Sequence, residues 1–154
     1  MVPTSPKPAA DAHAEGGAEG GQWLVAKAER GGKVHFIRLR TDLAPYVGTS
    51  HPHRIEINWP FVGEPTGLPD TPTLAALEAF EDRLGPLEVG DAAMLAIVVT
   101  GAGERRWTFH AKDRERTMSA LRPLLPKTPA VTVEAFDDPT WSTYSELIAA
   151  AKRN

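Results

Sequence analysis

The chain has 154 residues, no cysteine and a formal net charge of −3 at pH 7. Without cysteine it can form no disulfide, no thiolate nucleophile and no cysteine-based metal site. The acidic balance argues against a nucleic-acid partner, because proteins that neutralise phosphates usually carry excess positive charge. No segment has the roughly 20 apolar residues of a membrane span, and no apolar stretch typical of a secretory signal opens the chain. We therefore expect a cytoplasmic protein with neither nucleic-acid nor membrane partners.

The first 21 residues differ in composition from the rest of the chain. Residues 1–21 are mostly Pro, Ala, Gly, Asp and Glu and include no aromatic residue. Such a segment buries too little apolar surface to offset the entropy lost on ordering, so we expect a disordered tail. Residues 22–154 are long enough to bury a core without staples and are predicted to form a single α+β domain.

Short apolar segments with alternating polar residues predict six strands. They cover residues 22–28, 33–40, 54–61, 92–100, 104–110 and 130–136. The first two should form a hairpin, because Gly31 and Gly32 between them tolerate the positive φ of a tight turn. In the later strands, Trp107 and Phe109 share one face, which we expect to turn toward helices.

Three helices are predicted between and after these strands. Thr71 and Pro72 are typical of a helix start, and Asp113 is a good N-cap for the second helix. Asp138 and Pro139 are expected to open the last one. The middle six elements have βαββαβ order. We therefore expect an α+β fold: a ferredoxin-like core with helices on one face of an antiparallel sheet, plus an N-terminal β-hairpin and a C-terminal helix.

The strand at residues 92–100 conflicts with a plain version of that fold. It is apolar almost throughout, which is typical of a strand buried on both faces, yet the ferredoxin-like order would place it at a sheet edge. A bare apolar edge favours aggregation. We therefore predict that the N-terminal hairpin pairs with this strand, or that the end of the domain covers it.

Several marks resemble a family of uncharacterised bacterial proteins, domain-of-unknown-function family 695. The marks are Gly67-Leu68-Pro69, Leu77, Glu81-Asp82, Leu84, Arg106-Trp107-Thr108-Phe109, Asp113 and the ending Asp138-Pro139-Thr140-Trp141-Ser142-Thr143-Tyr144. His110 departs from the tyrosine that the resemblance implies for its strand. The resemblance implies no activity or catalytic residues. Members are sometimes fused to a domain similar to regulator of ribonuclease E activity B, which suggests regulation through a protein partner.

The predicted open face of the sheet is the first candidate site. It gathers Glu56, Asn58, Arg106, Thr108, His110, Thr132 and Glu134. Such a mixture is typical of any solvated sheet surface, and it also suits a ligand or protein partner. We favour a non-enzymatic binding or regulatory module. The alternative is a small hydrolase in which His110 and a nearby carboxylate such as Glu56 exchange protons with a substrate.

Two further motifs are candidates. His51 and His53 flank a proline and could bind a metal ion or ligand as a sensor, with Glu56 as a third ligand. The ending that contains Asp138, Pro139, Trp141 and Tyr144 is interpreted as structural, since it combines a helix cap with two packed aromatic rings. The chain has no phosphate loop and no G-x-S-x-G or H-E-x-x-H motif, so we expect no cofactor.

Overall fold

The computed structural model describes residues 22–153, and the predicted disordered tail lies outside them. The six strands are β1 (Trp23–Arg30), β2 (Lys33–Arg40), β3 (His53–Pro60), β4 (Ala93–Gly101), β5 (Glu104–Ala111) and β6 (Thr132–Asp137). The three α-helices are α1 (Thr71–Arg83), α2 (Arg114–Leu121) and α3 (Ser142–Arg153). Short 3₁₀ segments occupy Ala44–Tyr46, Gly85–Asp91 and Arg122–Leu124. Within the described range, no helix is both long and apolar enough to cross a membrane.

The strands form one antiparallel sheet in the order β1-β2-β4-β5-β3-β6. The predicted mixture of helices with an antiparallel sheet is therefore confirmed. The predicted hairpin is confirmed as well, because β1 and β2 pair along their whole length. At its turn Gly31 and Gly32 both have positive φ, at 57° and 80°, as the common two-residue hairpin turn requires.

The apolar strand β4 lies in the interior of the sheet. Residues 35–39 of β2 pair with residues 97–101 of β4, and β5 pairs with the other side. Eight of the nine residues of β4 are buried. The predicted pairing of the N-terminal hairpin with this strand is thus confirmed, and it removes the exposed apolar edge that a four-stranded core would have had.

Both faces of the sheet carry an apolar core. On one face α1 and α2 pack against side chains of β3, β4 and β5, including the predicted inward pair Trp107 and Phe109. On the other face α3 and the segment around residues 43–47 pack against β2 and β4. The last helix therefore lies opposite the other two and covers the second side of β4.

The helix starts differ from the predicted positions. The cap of α1 is Asp70, not Thr71, because the Asp70 carboxylate accepts a hydrogen bond from the Thr73 amide at 2.9 Å. Asp113 caps α2 as predicted, accepting from the Arg116 amide. The helix α3 begins at Ser142 and not directly after Pro139, because Trp141 has a φ of 53° and interrupts the helical backbone.

Candidate functional site

The sheet face beneath α3 is divided into an apolar half and a polar half. The apolar half lies on β2 and β4 and is covered by Trp141, Tyr144 and their neighbours on α3. The polar half lies on β5, β3 and β6. Side chains at alternate positions of these strands share a face, so the strand register defines three rows across the polar half. The rows are Arg54 with His110 and Phe136, Glu56 with Thr108 and Glu134, and Asn58 with Arg106 and Thr132.

The structure brings most of the predicted surface residues together. We call the accessible part of this face the polar patch; it consists of Glu56, Asn58, Arg106, Thr132 and Glu134. Glu56 and Asn58 are half-buried and the other three are exposed. Arg106 donates from Nε to Asn58 Oδ1 at 2.9 Å and from Nη2 to Glu104 Oε2 at 3.1 Å. These bonds fix the guanidinium in the plane of the patch.

Two carboxylates meet at the centre of the polar patch. Glu56 on β3 is the direct cross-strand partner of Glu134 on β6. Like charges placed opposite each other destabilise a sheet. Glu56 is compensated by Arg54, whose Nε lies 3.0 Å from Glu56 Oε2. Glu134 forms no ion pair with any residue from 22 to 153, so it offers an uncompensated negative charge at the surface.

His110 and Thr108 lie on this face but are not accessible. The exposed fractions are 0% for His110 and 4% for Thr108. The indole of Trp141 stacks on the His110 ring with centroids 4.0 Å apart and planes 6° from parallel. The expectation that His110 faces open solvent is therefore wrong, because the residues leading into α3 cover it. A general base must reach its substrate, and His110 does not.

Within residues 22–153, neither nitrogen of the buried His110 ring has a partner in hydrogen-bond geometry. Burial lowers its pKa to about 4, with Asp138 and the nearby His51 backbone opposing that shift and Arg54 adding to it. An unpartnered imidazolium in a desolvated position would be costly. His110 is therefore a neutral, packed ring at pH 7. This arrangement keeps His110, the proton acceptor named in the hydrolase alternative, away from any substrate.

Asp138 links α3 to the polar face. Its carboxylate accepts hydrogen bonds from the Ser142 amide and, at 2.6 Å, from Arg54 Nη1. Burial alone would raise the pKa of Asp138, but the bonds from Ser142 and Arg54 hold it below its usual value. Arg54 also lies over the Phe136 ring, 4.3 Å from the centroid. One guanidinium thus connects β3, β6 and the cap of α3.

Most of the chain matches one protein family. A family model described as "Family of unknown function (DUF695)" matches residues 21–148. The chain belongs to this family. The matched region contains all six strands and the first half of α3, so both cores and the polar patch lie within it. Neither the curated proteins nor the solved structures include a match to the chain.

Residues of the ending that resembles DUF695 attach α3 to the sheet. Trp141 donates from Nε1 to the His51 carbonyl at 2.9 Å, and its ring meets Tyr144 edge-on at 5.4 Å. Tyr144 in turn donates from its hydroxyl to the Arg40 carbonyl at 2.8 Å. Together with the Asp138 cap, these contacts hold α3 against the sheet. Pro139 is exposed and precedes the helix, and its carbonyl accepts a hydrogen bond from the Gly48 amide at 3.1 Å.

The histidine pair of the loop before β3 is divided between two environments. His51 is 1% exposed, and its two ring nitrogens lie 2.8 Å from Ser50 Oγ and 2.7 Å from the Asp91 carbonyl. His53 lies 3.3 Å from Asp137, and Glu56 is paired with Arg54. The residues from 22 to 153 contain no group of three or more ligating side chains that could hold a metal ion. The contacts of His51 give it a structural role.

One polar cluster was not anticipated from the sequence. Glu81 of α1 is a charged residue, yet it is half-buried. Its Oε1 accepts from Arg38 at 2.5 Å and from the indole of Trp107 at 2.8 Å. Arg105 Nη1 approaches the same oxygen at 3.9 Å. The available sequence signal was the position of Arg38 between Ile37 and Leu39, and of Arg105 at the alternate positions that also hold Trp107 and Phe109.

Proposed function

We propose that this chain is a non-enzymatic binding module that recognises a protein partner through the polar patch. The observation that carries the proposal is the opposed pair Glu56 and Glu134, of which Glu134 has no described ion partner. A like-charged pair costs folding free energy, and a basic side chain from a partner would relieve that cost. Arg106 beside it can accept an acidic group, so the patch suits a partner with charges of both signs.

The fold supports this use of the patch. We infer that β3, α1, β4, β5, α2 and β6 form a ferredoxin-like core, an interpretation supported by the antiparallel order β4-β5-β3-β6 and by the common face of α1 and α2. In this arrangement the helices α1 and α2 leave the opposite face free. Here α3 and the residues leading into it cover the half over β2 and β4 together with His110 of β5, and the polar patch stays accessible. Residues on strands are held more rigidly than residues on loops, which favours binding without large ordering costs.

The test is a charge reversal with a matched control. The double variant Arg106→Glu with Glu134→Lys keeps the net charge and reverses the patch. The control, Arg116→Glu with Asp82→Lys, makes the same exchange on exposed residues of the helical layer. Both control substitutions place favourable charges at helix ends, so the fold should be kept.

The measurement is affinity capture of partners with the tagged full chain, followed by binding of the purified partner. We expect wild type and control to capture the same protein, and the patch variant to bind it at least about tenfold more weakly, as loss of close charge pairs predicts. Equal binding by the patch variant would refute the proposal. So would the absence of any partner whose binding depends on the patch.

A further inference from the structure

A second region of charged side chains lies on the opposite face of the sheet, between α1 and the β1–β2 hairpin. One cross-strand row runs over five strands there, from the hairpin to the residues beneath α1. Its members are Lys27, Phe36, Thr100, Arg105 and Trp59. Trp59 is covered by Phe80 of α1, with ring centroids 5.1 Å apart, whereas Phe36 is 39% exposed. The helix therefore ends the covered region partway along the row, and we use the word groove for the surface between α1 and the hairpin that it leaves uncovered.

Arg105 lies at the inner edge of this groove. The residue is 8% exposed. Its Nε donates to Thr100 Oγ1 at 2.6 Å, and its Nη1 is 3.9 Å from Glu81 Oε1. No described residue accepts a hydrogen bond from its two Nη groups. A guanidinium has five N–H donors, so most of the donors of Arg105 are unused.

Two guanidinium groups share one close carboxylate beside Arg105. Arg38 and Arg105 both lie within 4 Å of one carboxylate, that of Glu81. The oxygen that faces them already accepts from Arg38 and from Trp107 Nε1. Burial, and then the nearby Arg38, lower the pKa of the Arg105 guanidinium, as expected for a cation without full compensation. Glu78 also attracts Arg105 but forms no ion pair with it, so among the described residues Glu81 is the one carboxylate within 4 Å of the two guanidinium groups.

We propose that Arg105 and Arg38 bind the oxyanion of a small molecule, a carboxylate or a phosphate, in the groove between α1 and the hairpin. Guanidinium groups suit both anions because their N–H pairs match two oxygens at once. Partial burial strengthens the attraction relative to bulk water. Phe36 supplies an apolar wall for the rest of the molecule. This site is separate from the polar patch, which lies on the other face.

The test is titration of the full chain with two probes, inorganic phosphate and benzoate, at constant ionic strength set with chloride. NMR of the arginine Nε–H groups and of the Trp107 indole reports on the cluster directly. We expect saturable shifts of the Arg105 and Trp107 signals with at least one probe. A response to phosphate alone or to benzoate alone identifies which oxyanion the site prefers. The absence of a saturable shift with either probe would overturn the proposal.

Three variants separate this site from nonspecific anion binding. Arg38→Gln, at a residue that is not fully buried, should weaken binding about tenfold, and Arg105→Lys should do the same by removing the paired donors. Glu81→Gln removes the competing carboxylate and should raise the affinity several-fold. The control is Arg116→Gln, at an exposed arginine of α2 outside the polar patch and the groove, and it should change the affinity less than twofold. Equal weakening by Arg116→Gln, or no change in Glu81→Gln, would refute the site.

The anion site can still be tested if one variant does not fold. Circular dichroism of each variant establishes the folded state before titration. If Arg105→Lys fails that check, the opposite expected effects of Arg38→Gln and Glu81→Gln still decide the outcome. Because the polar patch and this groove are altered by different substitutions, loss of partner binding in the patch variant leaves the anion result unaffected. Failure of one proposal is thus distinguishable from failure of the other.

Discussion

The buried ring of His110 makes the stability of the protein depend on pH in a defined window. Its pKa is about 4 in the folded chain, whereas a histidine in an unfolded chain titrates near about 6.5. Near pH 7.5 the ring is neutral in both states. As the pH falls below about 6.5, His110 becomes protonated in the unfolded chain but stays neutral in the folded chain. The free energy of unfolding therefore decreases.

The size of this loss follows from the two pKa values. One pKa unit corresponds to about 1.4 kcal/mol, so the complete effect, reached below pH 4, is about 3 kcal/mol. Between pH 7.5 and pH 5.0 the same linkage predicts a loss of about 2 kcal/mol. Asp138 and Glu81, whose pKa values are lowered on folding, lose their stabilising effect mainly below about pH 4.5. Measurements at pH 5.0 therefore avoid most of the loss that comes from these two carboxylates.

The assay compares wild type with His110→Phe, which keeps a flat ring beneath Trp141 and cannot titrate. Urea unfolding of both proteins at pH 7.5 and pH 5.0, followed by circular dichroism, gives four free energies. We expect wild type to lose about 2 kcal/mol more than His110→Phe over this interval. His53→Gln is the control, since it removes a histidine but keeps His110 and should therefore keep the loss.

Because each protein is compared with itself at two pH values, any pH-independent cost of the substitution cancels. Groups unaffected by the substitution cancel too, including Glu88, whose pKa is raised by burial and whose effect has the opposite sign. A difference below about 0.5 kcal/mol between wild type and His110→Phe would refute the reasoning. It would mean that the ring finds a proton acceptor or becomes solvated in the folded state.

Two further predictions concern the attachment of α3 and the loop before α1. Asp138→Ala removes the cap of α3 and the partner of Arg54, and should lower the free energy of unfolding by about 2–3 kcal/mol. Asp138→Asn can still cap the helix, so it should lower the free energy of unfolding clearly less. Urea unfolding measures both effects. Gly67→Ala should cost about 1–3 kcal/mol in the same assay, because Gly67 has a φ of 89° and an added Cβ would lie 2.9 Å from the Ala102 nitrogen. Gly85→Ala, whose Cβ would meet nothing within 4 Å, is its control and should be nearly neutral.

Much of the fold could be predicted from local patterns. Alternation of apolar and polar residues predicts a strand because successive side chains point to opposite faces, and all six predicted strands are present. Residues 92–100 are apolar on both faces of the strand, and this pattern also predicted a contact between distant segments, the pairing of the N-terminal hairpin with β4. Boundaries were less accurate. Asp70 and Thr71 are both acceptable caps by type, and only the backbone conformation selects Asp70.

The candidate site was predictable only in part. Alternation along β3, β5 and β6 places their polar residues on one face of the sheet, so the polar patch around Glu56 and Arg106 could be anticipated. The burial of His110 could not, because it depends on Trp141, which adopts a left-handed backbone conformation. No local pattern predicts that conformation in a tryptophan. The convergence of Arg38, Glu81 and Arg105 likewise requires three elements that are distant in the sequence.

The sequence by itself determined the α+β class, the two-faced burial of β4 and the set of polar residues available on one side of the sheet. These properties follow from periodicity and residue type, which act over a few neighbouring positions. The tertiary structure decided which of those polar residues remain in contact with water. It placed α3 over half of the face, buried His110 beneath Trp141, and left Glu56 and Glu134 opposed at the surface. Accessibility depends on how distant segments pack, and packing is a property of the whole chain.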